Sequence, residues 1–309
     1  MTYEELENTR KKYLERREQI KQKITKIMGT ILVIVLLFEL FAAARSGFSF
    51  VSIFHMVVLA GQFFIIGAIV YFVITTFKTS KEYEEFKKAY KAHFVSEALS
   101  KTITDYTYQH DSGISSTYLQ SCMIHTGDRY NTNDYVTGMY KDAKFAQADV
   151  TIQEEHTDSD GDRTYVTIFR GRFVVFEFKK KFDFKLSVIG KNFRAYRLPK
   201  EKDRKFKKIK IESNEFHKNF QLYGQDGFEA FYLLDPAMIE RITALGANYN
   251  NKVILNFVDN RLIVGINDNK DSFEPSGSIK NPIDEHAEFE KVYNDIKVVT
   301  DLVDNLKIR

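Results

Sequence analysis

Residues 163–178 read RTYVTIFRGRFVVFEF, and this run decides what kind of domain the chain builds. β-Branched and aromatic residues dominate it, which suits a pleated, well-buried strand. The Arg170-Gly171 step interrupts the run, so a tight hairpin turn or a bulge is expected there. Upstream, FAQADVTIQ (145–153) places Ala148, Val150 and Ile152 on one face, which predicts a second strand. Between the two lies HTDSDGD (156–162). Asp158, Asp160 and Asp162 fall at the first, third and fifth positions of a calcium loop. However, Arg163 stands where glycine is needed and Phe169 where the bidentate Glu belongs, so a polar turn is the better reading.

Outward from this pair the same alternation recurs. Phe182, Phe184, Leu186 and Val188 alternate with Asp183, Lys185 and Ser187. Residues 206–211 and 216–223 predict two weaker strands, and VILNFV (253–258) with RLIVGI (261–266) predicts a hairpin across Asp259-Asn260. Helical patterns intervene. A short helix is expected within 114–124. FEAFYLLDPAMIERITAL (228–245) has Asp235 as a cap, Pro236 in a first turn and Gly246 as a stop. Residues 284–306 carry Phe289, Val292, Ile296, Val299, Leu302, Val303 and Leu306 at helical spacing, as in a helix covering a sheet. The expected fold class of residues 101–309 is therefore α+β with an antiparallel sheet.

The first 100 residues have a different character. IMGTILVIVLLFELFAAA (27–44) and a second apolar run over 48–77 are separated by Arg45, Ser46 and Gly47. A helix needs roughly 20 apolar residues to cross a bilayer, so the two runs predict a transmembrane helical hairpin. The long charged segment before the first run is unlike a signal peptide, so no cleavage is expected. Arg10, Lys11, Lys12, Arg16, Arg17, Lys21, Lys23 and Lys26 precede the hairpin, and Lys78, Lys81, Lys87, Lys88 and Lys91 follow it. Arg45 alone lies between the runs. Basic residues stay inside, so both termini and the α+β domain are expected to be cytoplasmic. Thr2 and Glu5 have capping-box spacing, and Tyr83, Phe86, Tyr90 and Phe94 form a helical stripe. A paired helical stalk should thus extend the hairpin, giving a membrane hairpin and stalk over 1–100 and a cytoplasmic domain over 101–309. Glu39, His55 and Gln62 are candidates for an intramembrane polar contact, most simply a Glu39–His55 hydrogen bond near the outer interface.

Composition sets further bounds. The 309 residues carry a net charge of +3, but segments 1–92, 93–169, 170–210 and 211–309 contribute +5, −7, +12 and −7. One cysteine excludes a disulfide framework and Cys-based zinc sites. Cys122, in LQSCMI, reads as a small buried hydrophobe, and Glu154-Glu155-His156 as an exposed strand end. Phosphate-binding glycine loops, a GxSxG elbow and an HExxH pair are all absent, so no catalytic residue, metal or cofactor is expected. The basic block is the strongest functional signal. Lys179, Lys180, Lys181, Lys200, Lys202, Arg204, Lys205, Lys207, Lys208 and Lys210 are candidates for contact with an anionic membrane surface, or else with an acidic patch of the same domain. Nucleic acid is not an expected partner, because the block's aromatics alternate like core residues and form no stacking platform.

Phe169-Arg170-Gly171-Arg172-Phe173 and EFHKNFQLYGQDGFEAFYLLDPAMIERI (215–242) carry a resemblance. With the two apolar runs, they resemble an uncharacterised bacterial family with two transmembrane helices, of unknown function. Its members are sometimes labelled "galanin", although a peptide-hormone precursor layout is missing from this chain. The most specific part is F-x-x-x-F-x-x-Y-x-x-D-x-x-x-A-x-x-L-L-x-P, from Phe216 to Pro236. The resemblance implies membrane anchoring and carries no catalytic residues. Phe228, Phe231, Leu234 and Met238 are expected to pack on the sheet. The expected function is a non-enzymatic binding or scaffold module on a membrane anchor, with the lipid bilayer and a protein partner or second copy as partners. The alternatives are a subunit of a small transporter or channel, suggested by the three intramembrane polar residues, and a hydrolase whose site is assembled from scattered His and acids.

Overall fold

The computed structural model describes residues 2–307 apart from 47–49, 79, 179–183, 198–205 and 226. Side chains at Glu39, His55 and several other positions in the first two long helices also lie outside the described residues. Elements run in the order α1 (Tyr3–Ser46), α2 (Phe50–Lys78), α3 (Ser80–Thr102), β1 (Thr104–Gln109), α4 (Ser116–Ser121), β2 (Arg129–Tyr140), β3 (Ala143–Thr157) and β4 (Arg163–Glu177). They continue with β5 (Leu186–Gly190), β6 (Lys207–Lys208), α5 (Asn214–Asn219), β7 (Phe220–Gly224), α6 (Gly227–Leu233), α7 (Pro236–Asn248), β8 (Val253–Val258), β9 (Arg261–Ile266) and α8 (Glu285–Leu306). The chain forms two compact units. A helical unit comprises Met1–His93 with Gly277–Glu285, and a sheet unit comprises Phe94–Ser276 with His286–Arg309.

In the helical unit α1 starts with the reciprocal cap that its sequence specifies. The Glu5 amide donates to Thr2 Oγ1 at 3.2 Å, and the Thr2 amide donates to Glu5 Oε2 at 2.8 Å. Leu6, Tyr13, Ile20 and Ile24 are buried, the first three exactly one heptad apart. The pairing with α3 is visible in the Tyr13–Tyr83 rings at 5.6 Å and in the pairs Lys12–Glu85 at 3.2 Å and Arg16–Glu82 at 3.5 Å. Among the described residues, no helix is long and apolar enough to cross a membrane. The apolar runs of α1 and α2 both include positions outside that set.

The sheet unit is α+β. Among the described residues, nine antiparallel strands stand in the order β1-β2-β3-β4-β9-β8-β5-β7-β6. The 163–178 run is one strand, not a hairpin. Ile152 pairs with Phe169 and Gln153 with Thr167, leaving Ile168 as the extra residue of a bulge. The sheet has two covered faces. Phe169, Phe173, Val175, Ile152 and Ile254 pack with Leu119 and Phe193. Arg172 points the other way and donates from Nη1 to the Asp295 carbonyl of α8 at 2.6 Å. Val292, Ile296, Val299, Leu302, Val303 and Leu306 of α8 are buried, as the helical spacing requires.

Three sequence expectations change. Residues 216–219 are helical, because Ser213 caps α5 through the Phe216 amide and Phe216 stacks on Phe220 at helical spacing, 4.9 Å between centroids. Gly246 does not stop α7. It sits inside the helix, where a Cβ would come within 2.4 Å of the Phe220 ring, and the helix ends at Asn248. β5 is buried on both faces, Ser187 included, because it is an interior strand between β8 and β7. Asp235 does cap α7, accepting from the Met238 amide at 2.7 Å, with Pro236 at its first position.

Candidate functional site

Only three residues of the basic block are described. Lys179, Lys180, Lys181, Lys200, Lys202, Arg204 and Lys205 lie outside the described residues. Lys207, Lys208 and Lys210 are exposed along the sheet edge, where Lys207 pairs with Gly224 and Lys208 with Tyr223. Glu39 and His55 have side chains outside the described residues, and Gln62 is exposed on α2. Thus the proposed Glu39–His55 hydrogen bond also lies outside the described part.

The helix after β7 does not bury its aromatics as its sequence suggested. Phe228 is 77% exposed, Phe231 48% and Tyr232 83%, whereas Ala230 and Leu234 are buried. Ala230 and Leu234 are four apart and face inward together. Phe228 and Tyr232, also four apart, occupy the outer face of this seven-residue helix. The result is an exposed aromatic face on the helix that follows β7, the strand with which Lys207 and Lys208 pair.

Several scattered polar residues do converge, at a place that no motif marks. β2 breaks register between Asn133 and Val136, and Asp134 there has φ 56°. The Asp134 side chain is fully buried. Its Oδ1 accepts from the Tyr108 hydroxyl at 2.5 Å and lies 3.4 Å from His110 Nδ1, while Oδ2 accepts from Asn133 Nδ2 at 2.7 Å. Asp134, Asp271 and Glu274 bring one carboxylate oxygen each within 4.8 Å of one another. Carboxylates are the ligand type of Mg²⁺ and Ca²⁺, but both Asp134 oxygens are already taken by Tyr108 and Asn133. Next to them Asp149 of β3 accepts from the Ser272 hydroxyl at 2.8 Å and also from the Ser272 amide. Burial pushes the Asp149 carboxyl up to about 7, although Arg172 and the Ser272 bonds pull it back. Burial, together with the Asp134 charge, raises the Tyr108 phenol as well. These groups fasten β1, β2 and β3 to the segment between β9 and α8. The signal that could have found them was an acid inside each of two strands, Asp134 and Asp149, where apolar neighbours predict burial.

The remaining sequence candidates have structural roles. Asp158 closes the 156–162 turn, its Oδ1 accepting from the Asp160 amide at 3.0 Å and the Asp162 amide at 2.9 Å. Cys122 is buried and its thiol is raised by burial. Glu154 sits 2.7 Å from His125 Nε2, and Glu155 accepts from the Tyr165 hydroxyl at 2.6 Å. A cavity of about 430 Å³ beside α4 is walled by Ile114, Tyr118, Phe145 and Val175. Its ionic groups, Lys144 and Glu177, pair with each other at 3.1 Å.

Residues 167–308 match the model of a protein family described as a protein of unknown function (DUF3137). No curated protein matches the chain. Among solved structures, the crystal structure of the mycobacterial trehalose monomycolate transport factor A, TtfA, is similar at 11% identity and a TM-score of 0.35. That match covers 70% of this chain and 96% of the other.

Proposed function

We propose that the chain is an integral membrane protein whose hairpin, α1 from about Ile27 together with α2, anchors a non-enzymatic binding module, the sheet unit, on the cytoplasmic side. One observation carries this reading. Ile27, Ile31, Val33, Ile34, Leu36, Leu37, Phe38, Leu40 and Phe41 of α1 are exposed large hydrophobic residues, and so are Phe54, Val57, Val58, Phe64, Ile65, Ile66, Ile69, Val70, Phe72 and Val73 of α2. Among the described residues only Tyr83, Val166, Phe228, Phe231 and Tyr232 join them from elsewhere in the chain. A soluble monomer rarely exposes an apolar patch above about 300–600 Å². Removing each such side chain from water is worth roughly 1.5–3 kcal/mol, so a bilayer is the natural solvent for this band. The flanking charges support the orientation, with basic residues gathered before α1's apolar half and after α2 and only Arg45 between.

The sheet unit's binding partner in this reading is the anionic lipid surface. Lys207, Lys208 and Lys210 are exposed, and the exposed Phe228 and Tyr232 follow them in the chain after α5 and β7. Aromatic rings that lodge at the interface, beside basic residues worth about 1 kcal/mol each near anionic lipid, form a surface-binding face. The decisive experiment uses the full chain in cells. A reporter inserted at Gly47 should be active only in its external form, and one fused after Arg309 only in its cytoplasmic form. Alkaline extraction should leave the chain in the membrane pellet. Release into the supernatant, or digestion of the sheet unit by protease added to sealed right-side-out cells, would overturn the proposal.

A further inference from the structure

On the sheet unit, a cleft of about 640 Å³ opens where the N-terminal half of β4, the turn after β5, the α7–β8 turn and the segment after β9 meet. Its lining contains Arg170, Lys191, Arg194 and Lys252 and no carboxylate. Each of the four is exposed. Arg170 shares Asp271 at 3.6 Å, and among the described residues Lys191, Arg194 and Lys252 have no acidic partner. With Arg170 partly balanced by Asp271, the three remaining cations around one concavity still repel one another unless something negative lies between them.

The walls that hold these cations are fixed by asparagines. Asn192 Nδ2 donates to the Asn250 carbonyl at 2.7 Å. Asn267 spans the β4 backbone, accepting from the Arg170 amide at 3.1 Å and donating to the Ile168 carbonyl at 3.1 Å. The Asn269 amide donates to the Arg170 carbonyl at 2.8 Å. Asn250, Asn251 and Asn269 occupy the left-handed region at φ 53°, 54° and 59°, which asparagine tolerates better than most residues. The bulge at Ile168 sets where Arg170 emerges from β4, and Gly171 lets the chain beyond β9 close over it. The cations therefore stand on a preformed frame, which lowers the ordering cost of binding.

We infer that this cleft binds a ligand bearing at least two phosphate groups. Its volume is that of a small-molecule site, larger than one tetrahedral oxyanion needs. Arg170 and Arg194 offer forked donors that suit phosphate oxygens, and Lys191 and Lys252 act as point charges. The Asn192 and Asn267 side chains are held by backbone groups, and no carboxylate lines the cleft to repel the ligand. A soluble polyphosphate and a lipid headgroup both supply this chemistry, a clustered phosphate charge.

The test titrates inorganic pyrophosphate into the full chain in neutral detergent, by calorimetry. The comparison set is Arg194→Gln with Lys252→Gln, and Lys207→Gln with Lys208→Gln. Loss of two charge-assisted contacts should weaken pyrophosphate binding about tenfold or more in the first pair and leave the second unchanged. Phosphatidylcholine vesicles doped with a phosphoinositide bisphosphate, and others doped with phosphatidylserine, distinguish the sources. Binding confined to the bisphosphate vesicles and lost in the first pair assigns a headgroup, whereas binding of pyrophosphate assigns a soluble ligand. Binding of neither pyrophosphate nor bisphosphate vesicles, or equal binding by both variant pairs, overturns the inference. The pyrophosphate readout does not depend on the topology of the hairpin.

Discussion

Asp149 of β3 holds Ser272 twice, accepting from its hydroxyl at 2.8 Å and from its amide, across 123 positions of sequence. The carboxyl is buried, so it binds its proton more tightly in the folded chain than its ordinary value of 3.8, up to about 7. A raised carboxyl contributes stability that is full below its unfolded value and lost as pH rises through its folded value. Stability attributable to Asp149 should therefore fall between about pH 4 and pH 7, by at most ~1.4 kcal/mol per pH unit. Asp149→Asn cannot titrate. The stability difference between wild type and Asp149→Asn, from thermal unfolding of the full chain, should shrink as pH rises across that window. A difference that grows or stays flat would show that Arg172 keeps the carboxyl ionised throughout.

Gly171 marks a second strict requirement. A Cβ there would lie 2.1 Å from the carbonyl oxygen of Ile266, in the neighbouring strand β9. Backbone cannot move aside as a side-chain tip can. Gly171→Ala should cost roughly 1–3 kcal/mol through overpacking and loosen the β4–β9 seam. Hydrogen exchange at the Asn269 amide, which donates to Arg170, should accelerate in this variant and not in Gly161→Ala, where a Cβ meets nothing within 4 Å. Equal exchange in the two would sink the argument.

How far the sequence reaches can be judged element by element. The alternation at 145–153 and the stripe at 284–306 led directly to β3 and α8, because a half-buried strand and a sheet-covering helix each impose one period. The cap at Asp235 was equally legible, since it depends on three neighbouring residues. Residues 220–223 do form the expected strand, but 216–219 do not, because a short helix running into a strand shows no full period of either kind. The Asp134–Tyr108–His110 grouping and the four cations of the cleft stayed hidden for a different reason. The first depends on a register break in β2 beside β1, the second on loops brought together by sheet order β4-β9-β8-β5, and local spacing holds no information about either.

The outer face of α6 yields a contrast within one short helix. Phe228→Ala and Tyr232→Ala remove exposed rings and should change stability by less than about 0.5 kcal/mol. Leu234→Ala removes a buried side chain and should cost roughly 2–5 kcal/mol. The two exposed substitutions should nevertheless weaken association of the full chain with vesicles containing phosphatidylserine, relative to wild type. A large stability loss at Phe228 or Tyr232 would restore the reading in which this helix packs its aromatics inward.

The helical unit carries its own clasp, in which Glu7 ties residues 277–285 to α1. Glu7 Oε2 accepts from Arg10 Nη2 at 2.8 Å and Oε1 accepts from the Ile283 amide at 2.9 Å. Arg10 in turn donates to the Ile279 carbonyl at 2.9 Å, and the Tyr3 hydroxyl donates to the Ile283 carbonyl at 2.8 Å. Burial alone would raise the Glu7 carboxyl, but the Arg10 and Ile283 bonds outweigh it and hold the group below its ordinary value of 4.5. A depressed carboxyl contributes stability that is present above its unfolded value and lost as pH falls through its folded value. Glu7→Gln keeps the shape but removes the charge, leaving the buried Arg10 guanidinium without its counterion, a loss of roughly 1.5–3 kcal/mol. The Ile283 amide, corrected for intrinsic exchange, should therefore lose protection in Glu7→Gln at neutral pH. In the wild type the same loss should appear only as pH drops below the ordinary glutamate range, and the variant should show no such acid dependence. Identical protection of Ile283 in the two proteins at neutral pH would mean that Tyr3 and Arg10 hold the segment without the carboxylate.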